Sequence, residues 1–259
     1  MPTKLHYIRF GSGPRTLIAF HGFADRAELF LNLRDALEDR FTVIAIDLPF
    51  HGQSIWAASE FYPEEIRDAV SEILEKEGVN VEFTLMGHSM GGRIILALSP
   101  YFKDSIESYI MLSPAGFQGT LSDSKLLFPK FIRKFLKKLT SKPFFIIAIF
   151  RLGKFLGIIN RGTLNFLKKQ FEFPERRKRL FDCWISLYNF PIDLKSFKKN
   201  LFEEKTKLHF FYGTQDYITP AKYAKKFITD IPNAELTMVD DGHYFLKAPL
   251  VAVLKTAEI

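Results

Sequence analysis

The spacing of apolar and polar residues divides the chain into two stretches of one pattern with a different pattern between them. Residues 42–46 and 83–86 are short continuous runs of β-branched and other apolar side chains, and residues 109–112 form a third. Runs of this kind belong to parallel strands buried on both faces. Between them, residues 28–37 and 63–76 carry helical spacing. Pro63 suits a first helical turn, and Glu64 and Glu65 complement the positive end of the helix dipole. Residues 5–10 and 16–20 also read as strands, and Gly11-Ser12-Gly13-Pro14 between them reads as a hairpin turn. The alternation resumes late in the chain: strand at 207–212, helix at 220–229, strand at 235–239 and a last helix from about residue 246. Such alternation predicts an α/β fold with a mostly parallel central sheet flanked by helices.

After Ser113-Pro114-Ala115-Gly116 the pattern changes. Phe128, Phe131, Ile132, Phe135, Leu136 and Leu139 recur at helical spacing, with Lys130, Arg133, Lys134, Lys137 and Lys138 on the opposite face. That is an amphipathic basic helix, and further helical segments follow to about residue 202. The predicted organisation is a core of residues 1–116 and 205–259 interrupted by an all-helical insertion, residues 117–204.

Charge sharpens this division. The chain of 259 residues carries a net +7, yet residues 121–180 hold 16 Lys and Arg against 3 acids. That segment is therefore +13 and the remainder near −6. Hydrophobic residues at 47% and charged residues at 25% fit a soluble globular protein. Cys183 is the single cysteine, so no internal disulfide can form. The first residues show no signal-peptide pattern, and the longest apolar run, residues 144–150, is far too short to span a bilayer. A cytoplasmic protein is the expectation. No helix-turn-helix, zinc-ligand or RNP-like pattern accompanies the basic segment, so no nucleic-acid partner is expected.

The chemistry is concentrated in three places. Gly87-His88-Ser89-Met90-Gly91 fits G-x-S-x-G and lies between a predicted strand and a predicted helix. A sharp turn there strains the serine and exposes its hydroxyl above the sheet, while the new helix aims its first amides at a developing oxyanion. A serine hydroxyl needs a base within hydrogen-bond reach. His243 follows the strand at 235–239, which puts it on the same rim of the sheet. The imidazole needs a carboxylate behind it, and Asp216, after the strand at 207–212, supplies one. Asp240 and Asp241 compete by proximity, but on so short a loop they suit turn formation. Serine, then acid, then histidine is the chain order that G-x-S-x-G hydrolases use.

With these residues in place the sequence resembles the α/β-hydrolase fold family over most of the chain outside the insertion. Two further motifs carry the resemblance: His21-Gly22-Phe23 after a strand, and Asp47-Leu48-Pro49-Phe50-His51-Gly52-Gln53-Ser54, close to D-x-P-G-H-G-x-S. Phe50 stands where a glycine is usual. The resemblance implies that the backbone N–H groups of Phe23 and Met90 form an oxyanion hole. It also implies that Gly213, Asp216, Gly242 and His243 belong to the acid and base loops, and that the insertion is a cap. His21, Gly22, His88 and Arg93 are read as lining the substrate site. His21, His51 and His88 lack ligand-like spacing and suit buried loop histidines, so neither a metal nor a cofactor is expected.

The implied activity is that of a serine hydrolase of carboxylesterase or lipase type, acting on a small-molecule ester with a largely apolar acyl or alcohol part. Two readings of the cap stand: a lid whose positive surface contacts anionic membrane or draws an anionic substrate, or a solvated charged face over a stripe packed on the core. The motif Gly87 to Arg93 is also similar to lyases of menaquinone biosynthesis, which carry an arginine like Arg93 but typically a tyrosine at the position of His88. That similarity implies a triad-dependent lyase or carbon–carbon hydrolase acting on an anionic substrate. A non-catalytic ligand-binding member is the third reading.

Overall fold

The computed structural model describes residues 3–117, 143–155, 157 and 161–259. Its strands are β1 (Tyr7–Phe10), β2 (Arg15–Phe20), β3 (Phe41–Ile46), β4 (Phe83–His88), β5 (Ile106–Leu112), β6 (Lys207–Gly213) and β7 (Ala234–Val239). They form one sheet in the order β1-β3-β2-β4-β5-β6-β7. From β3 to β7 every neighbouring pair is parallel, and β1 joins the edge antiparallel to β3.

The hairpin expected over residues 11–14 does not form, because β1 and β2 are not neighbours. Tyr7 faces Ile46 and Phe10 faces Val43, so β3 lies between them. The amides of Ser12 and Gly13 donate to the Glu38 carbonyl at 2.9 and 3.1 Å, which carries the loop along the start of β3. The physical reason lies in β2 itself: Leu17, Ile18, Ala19 and Phe20 are all buried. A strand apolar on both faces seeks parallel neighbours on both sides, here β3 and β4.

Strand alternation sends Leu17, Ala19, Val43, Ala45, Met86, Ile110 and Leu112 into one core, closed by Phe30, Leu33, Leu250 and Leu254. Two of these closing residues come from α9 (Ala248–Thr256), which packs beside α1 (Arg34–Leu37). The helix expected at 28–37 is split into a 3-10 segment, Ala27–Leu33, followed by α1. Its first amide, that of Ala27, is held by Asp47 Oδ1 at 2.7 Å. Helix α2 (Pro63–Lys76) runs over the residues its spacing predicts. Glu65 reaches back to the Tyr62 amide at 2.9 Å, and Ile66, Val70, Ile73 and Leu74 form its buried side. Helix α3 (Met90–Leu98) is buried along nearly its whole length and contacts β2, β4 and α2.

The chain divides into two compact units, residues 1–119 with 190–259, and residues 120–189. The second contains α4 (Pro143–Phe155), α5 (Arg161–Phe171) and α6 (Pro174–Leu187). Buried Phe171 and Phe181, with Ile147, Leu180 and Trp184 packed against them, form its core. The basic helix expected over residues 128–139 lies outside the described residues. Helix α7 (Leu194–Glu204), which the sequence assigns to the insertion, belongs to the sheet unit. Its Phe197 ring lies 5.1 Å from that of Tyr109 and stacks on Phe227, and Phe117 packs on Phe210. Helix α8 (Lys222–Phe227) is shorter than the predicted 220–229. Among the described residues no helix is long and apolar enough to cross a membrane.

Candidate active site

Ser89 sits between the end of β4 and the start of α3 with φ 50° and ψ −110°. A non-glycine residue in this left-handed region costs on the order of 1–3 kcal/mol, so the surroundings must impose it. They do so by backbone hydrogen bonds. The Ser89 amide donates to the Leu112 carbonyl at 3.0 Å, and its own carbonyl accepts from the amides of Gly92 and Ala115 at 3.0 and 2.8 Å. The turn also demands close approach of main chains: a Cβ on Gly91 would overlap the carbonyl oxygen of Phe20. Glycine at 91 therefore brings the first turn of α3 against the end of β2, and the serine hydroxyl is left facing the rim at the carboxyl ends of the strands.

The loops after β6 and β7 deliver the partners. His243 Nε2 lies 2.9 Å from Ser89 Oγ, and its Nδ1 lies 2.8 Å from Asp216 Oδ2. A carboxylate only accepts, so the ring proton sits on Nδ1. Nε2 is then the lone-pair nitrogen facing the serine hydroxyl. Asp216 is fixed on both oxygens. Oδ1 accepts from the amides of Ile218 and Thr219 at 2.8 and 2.9 Å, and Oδ2 accepts from the Thr219 hydroxyl at 2.8 Å. Burial alone would raise its pKa. The hydrogen bond and charge of His243, with the Thr219 amide, outweigh that and hold the carboxyl down to about 2. Asp216 and His243 are both buried.

The rival carboxylates are engaged elsewhere. Asp240 accepts from the Thr214 hydroxyl at 3.2 Å. Asp241 accepts from the Gly242 amide at 2.7 Å and pairs with Lys247 at 2.9 Å.

The remaining predicted residues surround this constellation in different ways. Met90 is the first residue of α3, so its amide has no intrahelical acceptor. Phe23, half-buried, follows β2 with its ring 5.6 Å from that of His51. His21 does not present its ring to a substrate. It is fully buried, with Nδ1 donating to the Gly22 carbonyl at 2.7 Å and Nε2 accepting from the Leu48 amide at 3.0 Å. Burial holds its pKa below the usual imidazole value, as suits a neutral ring bridging two loops. His51 makes a similar bridge, donating to the Pro49 carbonyl and accepting from the Ala24 amide.

His88 is likewise buried, and its Nε2–H donates to the carbonyl of His243 at 3.0 Å, pinning the backbone of the base. Its Nδ1 faces Asp25 Oδ2 at 3.7 Å over the Cα of Gly22, where a side chain would meet the His88 ring at 2.9 Å. Arg93 reaches sideways from α3, its Nη2 donating to the Phe190 carbonyl at 3.3 Å. Phe50 adopts φ 66° and lays its ring 5.8 Å from that of Phe61.

Sequence reasoning missed one residue that holds the triad, Thr219, and one neighbour of the site, Asp25. Thr219 holds the acid, and the signal was available in Asp216-Tyr217-Ile218-Thr219, where an Asp with Thr three residues on suits an Asx-type turn. Asp25 had no such signal, since only the fold brings it to His88. Among the described residues no group of three or more His, Cys, Asp or Glu is placed to hold a metal ion.

Residues 15–247 match the sequence model of the α/β hydrolase fold. The chain belongs to the α/β-hydrolase fold family. Within it, the chain is 26% identical over 236 residues to the uncharacterized hydrolase YugF of Bacillus subtilis, covering 89% of this chain and 84% of that protein. A shorter match, 32% identical over 114 residues, is to a dihydrolipoyllysine-residue acetyltransferase component of an acetoin cleaving system from Cupriavidus necator. It covers 44% of this chain and only 30% of that longer protein. In structure the α/β-hydrolase chain superposes on a thermophilic esterase from Thermogutta terrifontis, solved with malate bound, with TM-score 0.71. That match has 17% identity and covers 97% of this chain and 91% of the esterase, so it speaks for the fold.

Proposed function

We propose that this protein is a serine hydrolase that cleaves a carboxylic ester with a largely apolar acyl or alcohol part. The observation that carries the reading is the unbroken chain of contacts from Ser89 Oγ through His243 to Asp216, at 2.9 and 2.8 Å. His243 Nε2 takes the hydroxyl proton as Ser89 Oγ attacks the ester carbonyl. The resulting imidazolium is stabilised by Asp216, which is ionised throughout the neutral range. The amides of Phe23 and Met90 hold the tetrahedral oxyanion, and the positive end of α3 adds to that field. His243 then returns the proton to the leaving alcohol, which leaves an acyl-enzyme on Ser89. Water, activated by the same imidazole, releases the acid.

Preference for an apolar substrate is supported by Tyr217, Ile218 and Tyr244, exposed side chains directly beside Asp216 and His243. Hydrolysis is preferred to elimination because the relatives point that way. A 30% identical stretch of 116 residues, 44% of this chain and 43% of that protein, is shared with the lipase LipV of Mycobacterium tuberculosis.

The test is a chain-length series of chromogenic esters assayed with wild type and Ser89→Ala side by side. Turnover should fall at least ~10³-fold in the variant, with a preference among the esters for apolar acyl groups. Equal turnover by the two proteins would end the proposal.

A further inference from the structure

We infer that Asp25 is a positioning residue for the base, acting through a proton that it keeps on Nδ1 of His88. The donation from His88 to the His243 carbonyl requires a proton on Nε2, because a carbonyl oxygen only accepts. A neutral ring would then turn the lone pair of Nδ1 towards Asp25 Oδ2, 3.7 Å away. Both atoms are buried, and neither has a hydrogen-bond partner among the described residues. Two acceptors that face each other away from water repel, and nothing offsets their desolvation. A proton on Nδ1 reverses the sign. An imidazolium then faces a carboxylate at ion-pair distance, and its Nε2–H becomes a charge-assisted donor to the His243 carbonyl.

The backbone is arranged to make this pair. Asp25 closes a turn on Gly22, its amide donating to the Gly22 carbonyl at 3.3 Å. The turn holds Ala24 at φ 64°, a left-handed conformation uncommon for alanine, and His51 Nε2 accepts the Ala24 amide at 3.0 Å. A Cβ on Gly22 would come within 2.9 Å of His88 Nδ1 and 3.0 Å of Asp25 Oδ2, so glycine leaves both atoms their place. The other titratable groups around the ring supply no rival charge. His21 is kept neutral by burial, and burial likewise keeps Tyr244, its ring 6.2 Å away, in the phenol form. The His243 ring, 5.2 Å away, is neutral until it takes the serine proton. Asp25 is therefore the carboxylate that answers His88, and together they tie the loop carrying Phe23 to the elbow and to the base loop. Their charges cancel, so the pair does not oppose the imidazolium that forms on His243.

The protonation of His88 is read without substrate, whereas the kinetic arm of the test rests on the ester chemistry proposed above. Long-range proton–nitrogen correlation spectra of protein labelled with 15N-histidine, at about pH 7, should show both His88 nitrogens protonated, the signals being assigned by their loss in His88→Gln. In Asp25→Asn, whose amide can donate, Nδ1 should become a lone-pair nitrogen while Nε2 keeps its proton. On the preferred ester, Asp25→Ala should lower kcat about threefold with KM within about twofold. In a His88→Phe background the same change should alter kcat by less than about 1.5-fold, because Asp25 acts through that ring; a merely structural Asp25 would add its own loss. A wild-type His88 with an unprotonated Nδ1, as a bridging water would leave it, overturns the inference, and so does a fully additive loss in the double variant. An intact His88 signature in a wild type that cleaves no ester would fail the proposed function while leaving the proton on Nδ1 standing.

Discussion

The two units of this chain obey different rules. In the sheet unit most functional groups are fixed by residues far away in sequence, His243 by Asp216 and His88 and His21 by Leu48, with the local turn from Asp216 to Thr219 as the exception. Residues 120–189 are mostly helical where described, carry a net +12, and expose phenylalanines at the surface, while the rest of the chain has 20 Lys and Arg against 25 Asp and Glu. Chemistry needs positions held to a fraction of an ångström, which long-range hydrogen bonds supply. Contact with a large, soft or charged surface needs only the right faces and charges, which local helical spacing supplies. The first kind of specification fails at a single atom; the second fails gradually, with area and charge.

The sharpest break of that contrast is at the acid. Asp216→Asn keeps the side chain's shape but lets the imidazole carry its proton on the wrong nitrogen. Turnover should fall by about 10²–10⁴-fold, measured on the preferred ester with the fold verified by circular dichroism. A loss under threefold would mean that the carboxylate only fills space.

His88 should matter next. His88→Phe removes the donor that pins the His243 carbonyl, so kcat should fall on the order of tenfold with KM within about twofold. His88→Gln, whose amide can donate in the same place, should recover most of it. A KM effect without a kcat effect would instead make His88 a substrate contact.

A smaller effect is expected in acid. Asp216 has its folded pKa depressed to about 2 from an ordinary 3.8. Between those values the unfolded chain therefore binds more protons than the folded one. Its contribution, on the order of 2 kcal/mol, is complete above about pH 4 and is lost as pH falls through about 2. Urea unfolding of wild type and Asp216→Asn should show a stability gap that narrows across that window. A gap that stays constant or widens would contradict the assignment.

Phe50 should give the smallest change. Phe50→Gly relieves a left-handed backbone but gives up the contact with Phe61, so the net shift should stay within about 1 kcal/mol. A loss well beyond that, read from thermal unfolding, would show the ring to be a structural keystone.

How much of this was readable in the sequence follows the same division. Pro63 with Glu64 and Glu65 fixed the start of α2 because capping is local. Gly87 to Gly91 announced the elbow because the close approach of Gly91 to β2 tolerates no side chain. Asp216 and His243 were identifiable because each follows a strand whose carboxyl end must reach the same rim. The hairpin reading of residues 11–14 went wrong where local turn chemistry conflicted with a non-local fact, the insertion of β3 between β1 and β2. The apolar run of β2 was the overlooked clue. The family resemblance puts His21 in the substrate lining while its loop position suits a buried histidine, and only the fold decides for the second, with Gly22 and Leu48 occupying both ring nitrogens. Residue 25 approaches residue 88 only once the sheet is assembled, so no periodicity could show it.

The most direct measurement is intact-mass spectrometry after exposure to a fluorophosphonate, followed by peptide mapping. A nucleophile activated by His243 predicts a single adduct on Ser89, absent from Ser89→Ala and strongly slowed in His243→Gln. A folded wild-type protein that gains no adduct, or gains it on another residue, would contradict the claim that this hydroxyl is activated.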